Sequence, residues 1–234
     1  MKYSIVIPCY NEESNVRGLV QQLKSLPHPY DIEWVLVDNG SRDQTRTILQ
    51  EICRQEENFK LVCVDKNVGY GFGLQQGMHA ATGDYIGWLH ADMQVAPEYM
   101  IRFMDYMEKS PDKKLFLKGK RENRSAVDKF FTAAMTLFAT ALFGTYLHDI
   151  GAIPVLFRRE LLAHLVQMPY DFSIETYVYL VARRQGYTVK RFPVDMSARK
   201  GGVSSWNKGF SSKIRQSWVI IGDLLLIKRG KQVK

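Results

Sequence analysis

Short apolar runs alternate with amphipathic segments through the first half of the chain. Runs of strand length, rich in Val and Ile, occupy residues 3–7, 34–37, 61–64 and 85–89. Helix-like patterns follow these runs at residues 12–25, 43–54, 70–81 and 97–109. Near-continuous apolar runs are typical of strands buried on both faces of a parallel sheet. The alternation therefore predicts an α/β fold, with a mostly parallel sheet flanked by helices.

The second half of the chain has a different pattern. We predict a basic loop over 118–124, an apolar helix over 126–146, and a strand or loop over 149–157. A helix over 174–186, a strand over 189–194, a polar Gly/Ser loop over 199–209 and a helix over 213–228 follow. The last helix combines an apolar face with basic ends, a pattern suited to a membrane interface.

One stretch of the apolar helix raises the question of membrane insertion. Residues 130–147 contain no charged side chain, and their length is at the lower limit for spanning a bilayer. Thr132, Thr136 and Thr140 recur every fourth residue and give this helix one polar stripe. The stripe favours a buried or interfacial helix over a spanning one.

Charge and cysteine content narrow the function classes. The formal net charge is +8, and the Lys and Arg excess concentrates in 113–124 and 190–234, which favours a local anionic-ligand or membrane face over a nucleic-acid binder. Cys9, Cys53 and Cys63 lack metal-ligand spacing, and the apolar runs around Cys9 and Cys63 predict buried thiols in a reducing compartment. The first apolar run is too short for a signal peptide, so we expect a cytoplasmic protein.

Polar segments follow all four predicted strands of the first half. They are Pro8-Cys9-Tyr10-Asn11-Glu12-Glu13, Val37-Asp38-Asn39-Gly40-Ser41-Arg42-Asp43-Gln44-Thr45, Lys66-Asn67-Val68-Gly69-Tyr70-Gly71 and His90-Ala91-Asp92-Met93-Gln94. Taken alone, each segment is better explained as a turn or a helix start than as part of a binding site. Ligands of α/β sheets bind at the carboxyl ends of strands, so four such segments in succession indicate one binding site.

These segments carry a family resemblance. Pro-x-Tyr-Asn-Glu, Val-Asp-Asn-Gly-Ser-x-Asp-x-Thr and the Asp-x-Asp-like His90-Ala91-Asp92 resemble family 2 glycosyltransferases, and among them the dolichyl- or polyprenyl-phosphate sugar synthases. Residues 118–121, 149–152, 172–175 and 199–206 are similar to further segments of that subgroup, so the resemblance covers nearly the whole chain. It implies a GT-A-type, Rossmann-like fold and inverting sugar transfer from a nucleotide diphosphate-sugar.

The resemblance also implies which residues hold the donor and a cation. The expected donor-binding residues are Pro8, Tyr10, Asn11, Glu12, Val37, Asp38, Asn39, Lys66, Gly69, Ala91, Arg199 and Ser204. A divalent cation, Mn²⁺ or Mg²⁺, would neutralise the departing diphosphate. Its expected ligands are His90, Asp92 and Gln94. Tyr10 would stack on the base, although a buried core aromatic would look the same in sequence.

The sequence departs from the subgroup at three positions. His90 replaces the first Asp of the Asp-x-Asp segment, Asn39 replaces an Asp, and Ser205 stands where Lys is usual. Imidazole is a softer ligand than carboxylate and suits manganese better than magnesium. A non-catalytic relative that binds nucleotide-sugars is therefore a second hypothesis, and the sugar and base stay undetermined.

The basic segment before the apolar helix indicates the acceptor. We expect Arg121, Arg124 and Lys129 to bind a phosphate, with Arg121 offering a bidentate fork. Charge beside an apolar helix suits a lipid-phosphate acceptor such as polyprenyl phosphate. A phosphate monoester, with a second pKa near ~6, needs no general base at neutral pH. A saccharide hydroxyl would need one, for which Glu175 is the candidate, and this alternative stays open.

We therefore expect catalytic roles for Asp92, Arg121 and Glu175. The chain is predicted to be one domain over 1–234, with a nucleotide-binding half over 1–110 and an acceptor half over 111–234. The acceptor half would carry two interfacial helices, over 126–146 and 213–228. We expect the protein to act peripherally on the cytoplasmic face of a membrane in cell-envelope synthesis, without a nucleic-acid partner.

Overall fold

The computed structural model describes residues 1–122, 125–195 and 210–230, with side chains described from 217 onward in the last range. The strands are β1 (Lys2–Cys9), β2 (Asp31–Asn39), β3 (Phe59–Val64), β4 (Tyr85–Trp88), β5 (Leu115–Arg121), β6 (Val155–Arg158) and β7 (Thr188–Val194). The helices are α1 (Val16–Ser25), α2 (Thr45–Gln55), α3 (Tyr70–Ala80), α4 (Glu98–Lys109), α5 (Ala126–Phe143), α6 (Ile174–Arg184) and α7 (Phe210–Lys228), with a 3₁₀ helix at Arg159–His164.

These strands form one sheet in the order β3-β2-β1-β4-β6-β5-β7. Neighbouring strands run parallel except that β6 is antiparallel to both β4 and β5. The predicted fold class, a mostly parallel sheet flanked by helices, is confirmed. The carboxyl ends of β1, β2, β3 and β4 therefore meet at one edge, which is where the polar segments lie.

The apolar runs of β1 and β2 supply the cores on both faces of the sheet. Val6 and Val35 face the layer formed by α3, α5, α6 and α7, whereas Ile5 and Trp34 face the layer formed by α1, α2 and α4. Successive strand side chains point to opposite faces, so a central strand covered on both sides needs apolar residues at nearly every position. This requirement explains the near-continuous Val and Ile runs.

The prediction of a basic loop over 118–124 is wrong for residues 118–121, which form the end of β5. This strand lies between β6 and β7, so the Lys118 side chain is fully buried. Its ammonium Nζ donates a 2.5 Å hydrogen bond to the carbonyl oxygen of Ala152. A buried lysine needs such partners to be tolerated in a strand, and those partners come from distant parts of the sequence.

The prediction of a buried thiol at Cys63 is also wrong. Cys9 in β1 is buried, but Cys63 is exposed and Cys53 is half-buried. The reason is that β3 forms one edge of the sheet. Side chains of an edge strand have fewer neighbours than those of the central strand that carries Cys9.

The polar stripe of α5 faces the protein. Thr136 Oγ1 accepts a 3.4 Å bond from the Asp149 backbone N–H, and Thr140 Oγ1 accepts a 3.2 Å bond from that of Leu147. The opposite face is apolar and uncovered, with Phe130 70% exposed. Gly144, with φ 64°, ends the helix earlier than the predicted residue 146. Among the described residues, α5 is the one helix long and apolar enough to cross a membrane, judged by length and composition alone.

The last helix, α7, begins at Phe210, three residues before the predicted start. It packs beside α5, and Leu224 is buried in the shared core. Trp218 and Val219 are 68% and 49% exposed. These residues and the exposed apolar side chains of the neighbouring α5, such as Phe130, are called here the α5–α7 face.

Candidate functional site

A cavity of about 250 Å³ lies over the carboxyl ends of β1, β2 and β3. Its lining residues are Tyr10, Gly40, Ser41, Arg42, Asp65, Lys66 and Asn67. Tyr10 is 41% exposed, so it is not a core aromatic and its ring is available to a ligand. The structure thus brings two of the predicted donor-binding residues, Tyr10 and Lys66, to one pocket.

Other predicted donor-binding residues hold the loops that surround this pocket. Asn11 Oδ1 accepts a 2.9 Å bond from the Arg42 backbone N–H, and Glu12 N–H donates a 2.8 Å bond to Thr45 Oγ1. Asn11 has a φ of 54°, in the left-handed region where asparagine is tolerated. These bonds join the β1–α1 loop to the β2–α2 loop and so fix the shape of the pocket.

Asp38 is engaged by protein groups on both carboxylate oxygens. Its Oδ1 accepts a 3.1 Å bond from Ser41 N–H, and its Oδ2 lies 2.6 Å from Nε of Arg46. The carboxylate is fully buried. Asp38 therefore fixes the conformation of the β2–α2 loop from the buried side of the loop. Of the remaining predictions, Val37 and Ala91 are buried among apolar residues, while Pro8 is half-buried and pairs in register with Val37.

The glycine-rich segment 69–73 serves close packing. A Cβ built at Gly69, whose φ is 137°, would lie 2.1 Å from the Tyr170 carbonyl oxygen, and one at Gly73 would lie 2.6 Å from Cγ of Asn39. The Asn39 amide donates a 3.0 Å bond to the carbonyl oxygen of Gly69. A carboxylate at position 39 could not donate that bond, which gives a physical reason for Asn where the related subgroup has Asp.

The end of β4 places His90 and Asp92 near Glu175 of α6. His90 Nε2 lies 3.0 Å from the Tyr70 hydroxyl and 3.9 Å from Glu175 Oε1. Asp92 is buried, and its Oδ1 accepts a 3.2 Å bond from the backbone N–H of Gln94. Residues of α3 and of the distant α6 therefore converge with the end of β4 on the predicted metal segment.

Glu175 is buried, with only 3% of the residue exposed. Its Oε1 accepts bonds from the Tyr70 hydroxyl at 3.0 Å and from Trp88 Nε1 at 2.8 Å. Its Oε2 lies 4.0 Å from Lys118 Nζ. Burial lowers the pKa of Lys118 to about 8, although the Glu175 carboxylate acts in the opposite direction. Sequence analysis named Glu175 as a candidate site residue but did not name Lys118. Lys118 follows three apolar residues, and this position was the available sign that it lies in a buried strand.

The described residues contain no ready-made group of three His, Cys, Asp or Glu side chains for a metal ion. Mg²⁺ in nucleotide sites is commonly held by one or two carboxylates together with substrate phosphates. The buried carboxylate of Asp92, which accepts a bond from the Gln94 backbone N–H, fits a cation that arrives with a diphosphate. His90 has one ring nitrogen engaged by Tyr70, so its other nitrogen is the one left for a cation.

A second cavity, of about 500 Å³, lies between the end of β5 and the inner side of α5. It is called here the α5 cavity. Its lining residues are Lys120, Arg121, Lys129, Thr132, Ala133, Thr136, Leu137, Thr140, Tyr146, His148 and Asp149. The threonines of the polar stripe thus form one wall. Of the predicted acceptor residues, Arg121 and Lys129 line this cavity, whereas Arg124 lies outside the described residues, as do Arg199 and Ser204 of the donor set.

The fork of Arg121 is directed at a carboxylate, Asp149. Arg121 Nε lies 2.8 Å from Asp149 Oδ1, and the Arg121 backbone N–H donates a 3.1 Å bond to Oδ2. Arg191 of β7 approaches the same carboxylate at 3.4 Å. Burial acts to raise the pKa of Asp149, but Arg121 outweighs it and the pKa is lowered. Sequence analysis did not predict this cluster, in which two guanidinium groups share one carboxylate.

A mostly parallel sheet with a pocket over the ends of β1, β2 and β3, and an Asp-x-Asp-like segment after β4, is typical of the GT-A glycosyltransferases. The family model described as Glycosyl transferase family 2 matches residues 4–146. The chain belongs to glycosyl transferase family 2, as the motifs of the first half predicted.

Two curated relatives carry the same name. The chain is 28% identical over 209 residues to an undecaprenyl-phosphate 4-deoxy-4-formamido-L-arabinose transferase of Pseudomonas fluorescens, covering 87% of this chain and 60% of the relative. It is 30% identical over 173 residues to the transferase of the same name from Photorhabdus laumondii, covering 71% of this chain and 52% of the relative. The chain thus spans between half and about three fifths of the length of these relatives.

Solved structures share the fold. The glucosyl-3-phosphoglycerate synthase of Mycobacterium tuberculosis, solved with Mn²⁺, uridine diphosphate and phosphoglyceric acid, superposes with a TM-score of 0.71 at 19% identity, over 98% of this chain and 79% of that one. Staphylococcus aureus TarS with UDP-GlcNAc superposes with a TM-score of 0.62 at 20% identity, over 97% and 67% of the two chains. At these identities the likeness establishes the GT-A fold.

Proposed function

We propose that this chain transfers a sugar, with inversion, from a nucleotide diphosphate-sugar to a polyprenyl phosphate at a membrane surface. The observation that carries the proposal is the α5 cavity, which has cationic side chains at one end and lies against the helix that exposes an apolar face. The two sequence relatives described above, both named as undecaprenyl-phosphate sugar transferases, support the same acceptor class.

The charge balance of the α5 cavity suits an anionic headgroup. Lys120, Arg121 and Lys129 line it, and Asp149 is the one carboxylate among its lining residues. Arg191 Nε is buried and has no hydrogen-bond partner within the described part of the chain. A phosphate monoester would add negative charge where cations are in excess, with charge-assisted bonds that are stronger than neutral ones.

The attachment of α5 favours an interfacial position on the cytoplasmic face over a spanning one. Its inner side is bonded to residues 147 and 149 along its length, and Arg121 and Asp149 lie directly behind it. Crossing a bilayer would carry these charged groups into hydrocarbon, at a cost of several kcal/mol each. The helix therefore lies along the surface, with the α5–α7 face toward the lipid.

The transfer step needs electrostatic help at the donor and positioning at the acceptor. A divalent cation held by Asp92 and Gln94 would supply neutralisation of the leaving diphosphate. Tyr10 and Lys66 bind the nucleotide in the pocket over β1, β2 and β3. The acceptor phosphate oxygen is already charged at neutral pH, so it attacks the anomeric carbon without prior deprotonation.

The buried state of Glu175 argues against the saccharide-hydroxyl alternative. Its side chain is 4% exposed, and one oxygen already accepts two hydrogen bonds. A general base must come within hydrogen-bond reach of the proton that it removes. Glu175→Gln is therefore expected to retain activity within about tenfold, whereas loss of a true base costs ~10²–10⁴. Arg121→Ala is expected to depress turnover strongly.

The test is a transfer assay with the full chain, Mn²⁺, a panel of radiolabelled nucleotide diphosphate-sugars and a short polyprenyl phosphate. We expect label in the organic phase, and none when the matching polyprenyl alcohol replaces the phosphate. Lys129→Ala should raise the KM for the lipid, while Lys109→Ala, an exposed lysine at the end of α4, should not. Label that reaches only a water-soluble saccharide would overturn the proposal.

A further inference from the structure

The side chains of Glu175, Tyr70 and His90 form a hydrogen-bonded chain from the core to the end of β4. We propose that Glu175 is a positioning residue that acts through Tyr70 to fix His90 in one tautomer, with the proton on Nε2 and the lone pair on Nδ1. The use of this tautomer in sugar transfer rests on the proposed function. The tautomer itself is a property of the free protein.

The direction of each hydrogen bond in this chain can be worked out starting from Trp88. Its indole Nε1 can only donate, so Glu175 Oε1, at 2.8 Å, must be an acceptor. Glu175 Oε2 is buried and has no hydrogen-bond partner within the described residues. A proton on Oε2 would therefore be a buried donor without an acceptor, which is costly. The Lys118 ammonium lies 4.0 Å from Oε2 and offers no acceptor to such a proton.

The role of Tyr70 follows from that of Glu175. The Tyr70 hydroxyl lies 3.0 Å from the Oε1 carboxylate oxygen and also 3.0 Å from His90 Nε2. A phenol has one proton, and Oε1 has none to give, so the Tyr70 hydroxyl donates to Oε1. Burial, followed by the charge of Glu175, raises the pKa of Tyr70 well above its ordinary value, so the phenol keeps that proton.

The tautomer of His90 is then determined. With its proton directed at Glu175, the Tyr70 oxygen has only lone pairs to offer, so His90 Nε2 must be the donor. In the neutral imidazole the lone pair then lies on Nδ1. Ring contacts hold the geometry, since Tyr70 stacks on Phe172 with centroids 4.4 Å apart and meets the His90 ring edge-on at 5.3 Å.

The arrangement gives Glu175 a function without contact with substrate. Hydrogen bonds that fix the tautomer of a histidine ligand also set its orientation and basicity. Only Nδ1 of His90 is left to ligate a cation. A positioning role explains why the Glu175 carboxylate is buried near the proposed transfer centre. Its Oε1 already accepts two hydrogen bonds, and burial keeps the side chain from the acceptor.

The test uses histidine labelled with ¹⁵N in the protein free of metal and donor. Long-range ¹H–¹⁵N correlation spectra report which ring nitrogen carries the proton, and His90→Gln assigns the signal among the five histidines. We expect Nε2–H in the wild type. Tyr70→Phe, which keeps the ring stack, should move His90 toward the mixed tautomers of free imidazole. Tyr30→Phe removes a hydroxyl that donates to Asp105 elsewhere in the protein and should leave the spectrum unchanged.

A second readout measures metal affinity. Mn²⁺ binding, measured by electron paramagnetic resonance with a nucleoside diphosphate present, should weaken about tenfold or more in Tyr70→Phe, because the variant loses the group that orients the histidine ligand. A wild-type His90 with the proton on Nδ1 would refute the inference, even if Tyr70→Phe fails to fold. An unchanged His90 spectrum in folded Tyr70→Phe would refute it as well. Neither readout involves sugar transfer, so failure of the proposed function is detected separately.

Discussion

The buried pair of Lys118 and Glu175 allows a stability prediction that can be worked from one distance. Lys118 Nζ and Glu175 Oε2 are 4.0 Å apart, and Lys118 is fully buried. Two unit charges at about 4 Å attract each other by about 4 kcal/mol at an effective dielectric constant of about 20. Removing one partner of a buried pair leaves an uncompensated charge and costs about 3–5 kcal/mol.

The perturbation is a double-mutant cycle of Lys118→Met and Glu175→Gln, followed by urea unfolding at pH 7. Glu175→Gln alone should lower the free energy of unfolding by about 3 kcal/mol, because Lys118 loses its counter-ion. The double variant should recover most of that loss, since both charges are then gone. We expect a coupling energy of about 2–4 kcal/mol between the two sites.

The pH dependence of the free energy of unfolding gives a second, independent test. The folded pKa of Lys118 is about 8, below the ordinary 10.5, so between these values the unfolded chain binds more protons than the folded one. The free energy of unfolding should therefore rise with pH across this window, and Lys118→Met should lack that rise. Single-variant effects that add within about 0.5 kcal/mol would refute the ion pair.

Three further predictions concern the cation, a carboxyl group and the membrane. Asp92→Ala should abolish turnover. His90→Asp should keep turnover and shift the metal preference from Mn²⁺ to Mg²⁺ in metal titrations. Wild-type activity that is independent of metal would contradict both predictions. Burial and a neighbouring carboxyl raise the pKa of Asp223 to about 7, so melting temperatures should fall from pH 4 to pH 7 in the wild type and fall less in Asp223→Asn. Phe130→Ser should weaken salt-sensitive flotation with anionic vesicles more than the control Val166→Ser does. Val166 is 81% exposed and lies outside the α5–α7 face. Equal weakening by the two variants would contradict the proposed membrane contact.

The strands of the parallel half could be predicted because burial on both faces leaves a direct trace in the sequence. The β5 strand could not, because Lys118 and the charged residues after it resemble a solvated loop. Lys118 is tolerated in the core through Ala152 and Glu175, which are distant in sequence. Local pattern carries no information about such partners. Cys63 shows the converse, since an apolar run does not reveal that its strand lies at the sheet edge.

The sequence indicates at which edge of the sheet the candidate site lies, but not which of its side chains face a ligand and which bind other protein groups. Both Tyr10 and Lys66 follow a strand, and the structure places them in one pocket. Their position in the chain could not separate them from Asp38, which is turned inward to Arg46. The pairing of Arg121 with Asp149 also lay beyond sequence, because an arginine beside an apolar helix carries no mark of its partner.

The hydrogen bond between Tyr70 and Glu175 joins residues 105 positions apart, and this separation has a consequence for the order of folding during synthesis. Chains emerge from the ribosome N-terminal end first. The residues of the pocket over β1, β2 and β3 are therefore made well before α6, which must dock to bring Glu175 to Tyr70. We expect the nascent chain to acquire this pocket early and the contact of His90 with Tyr70 and Glu175 late, so that the proposed transfer centre is complete only after α6 has docked.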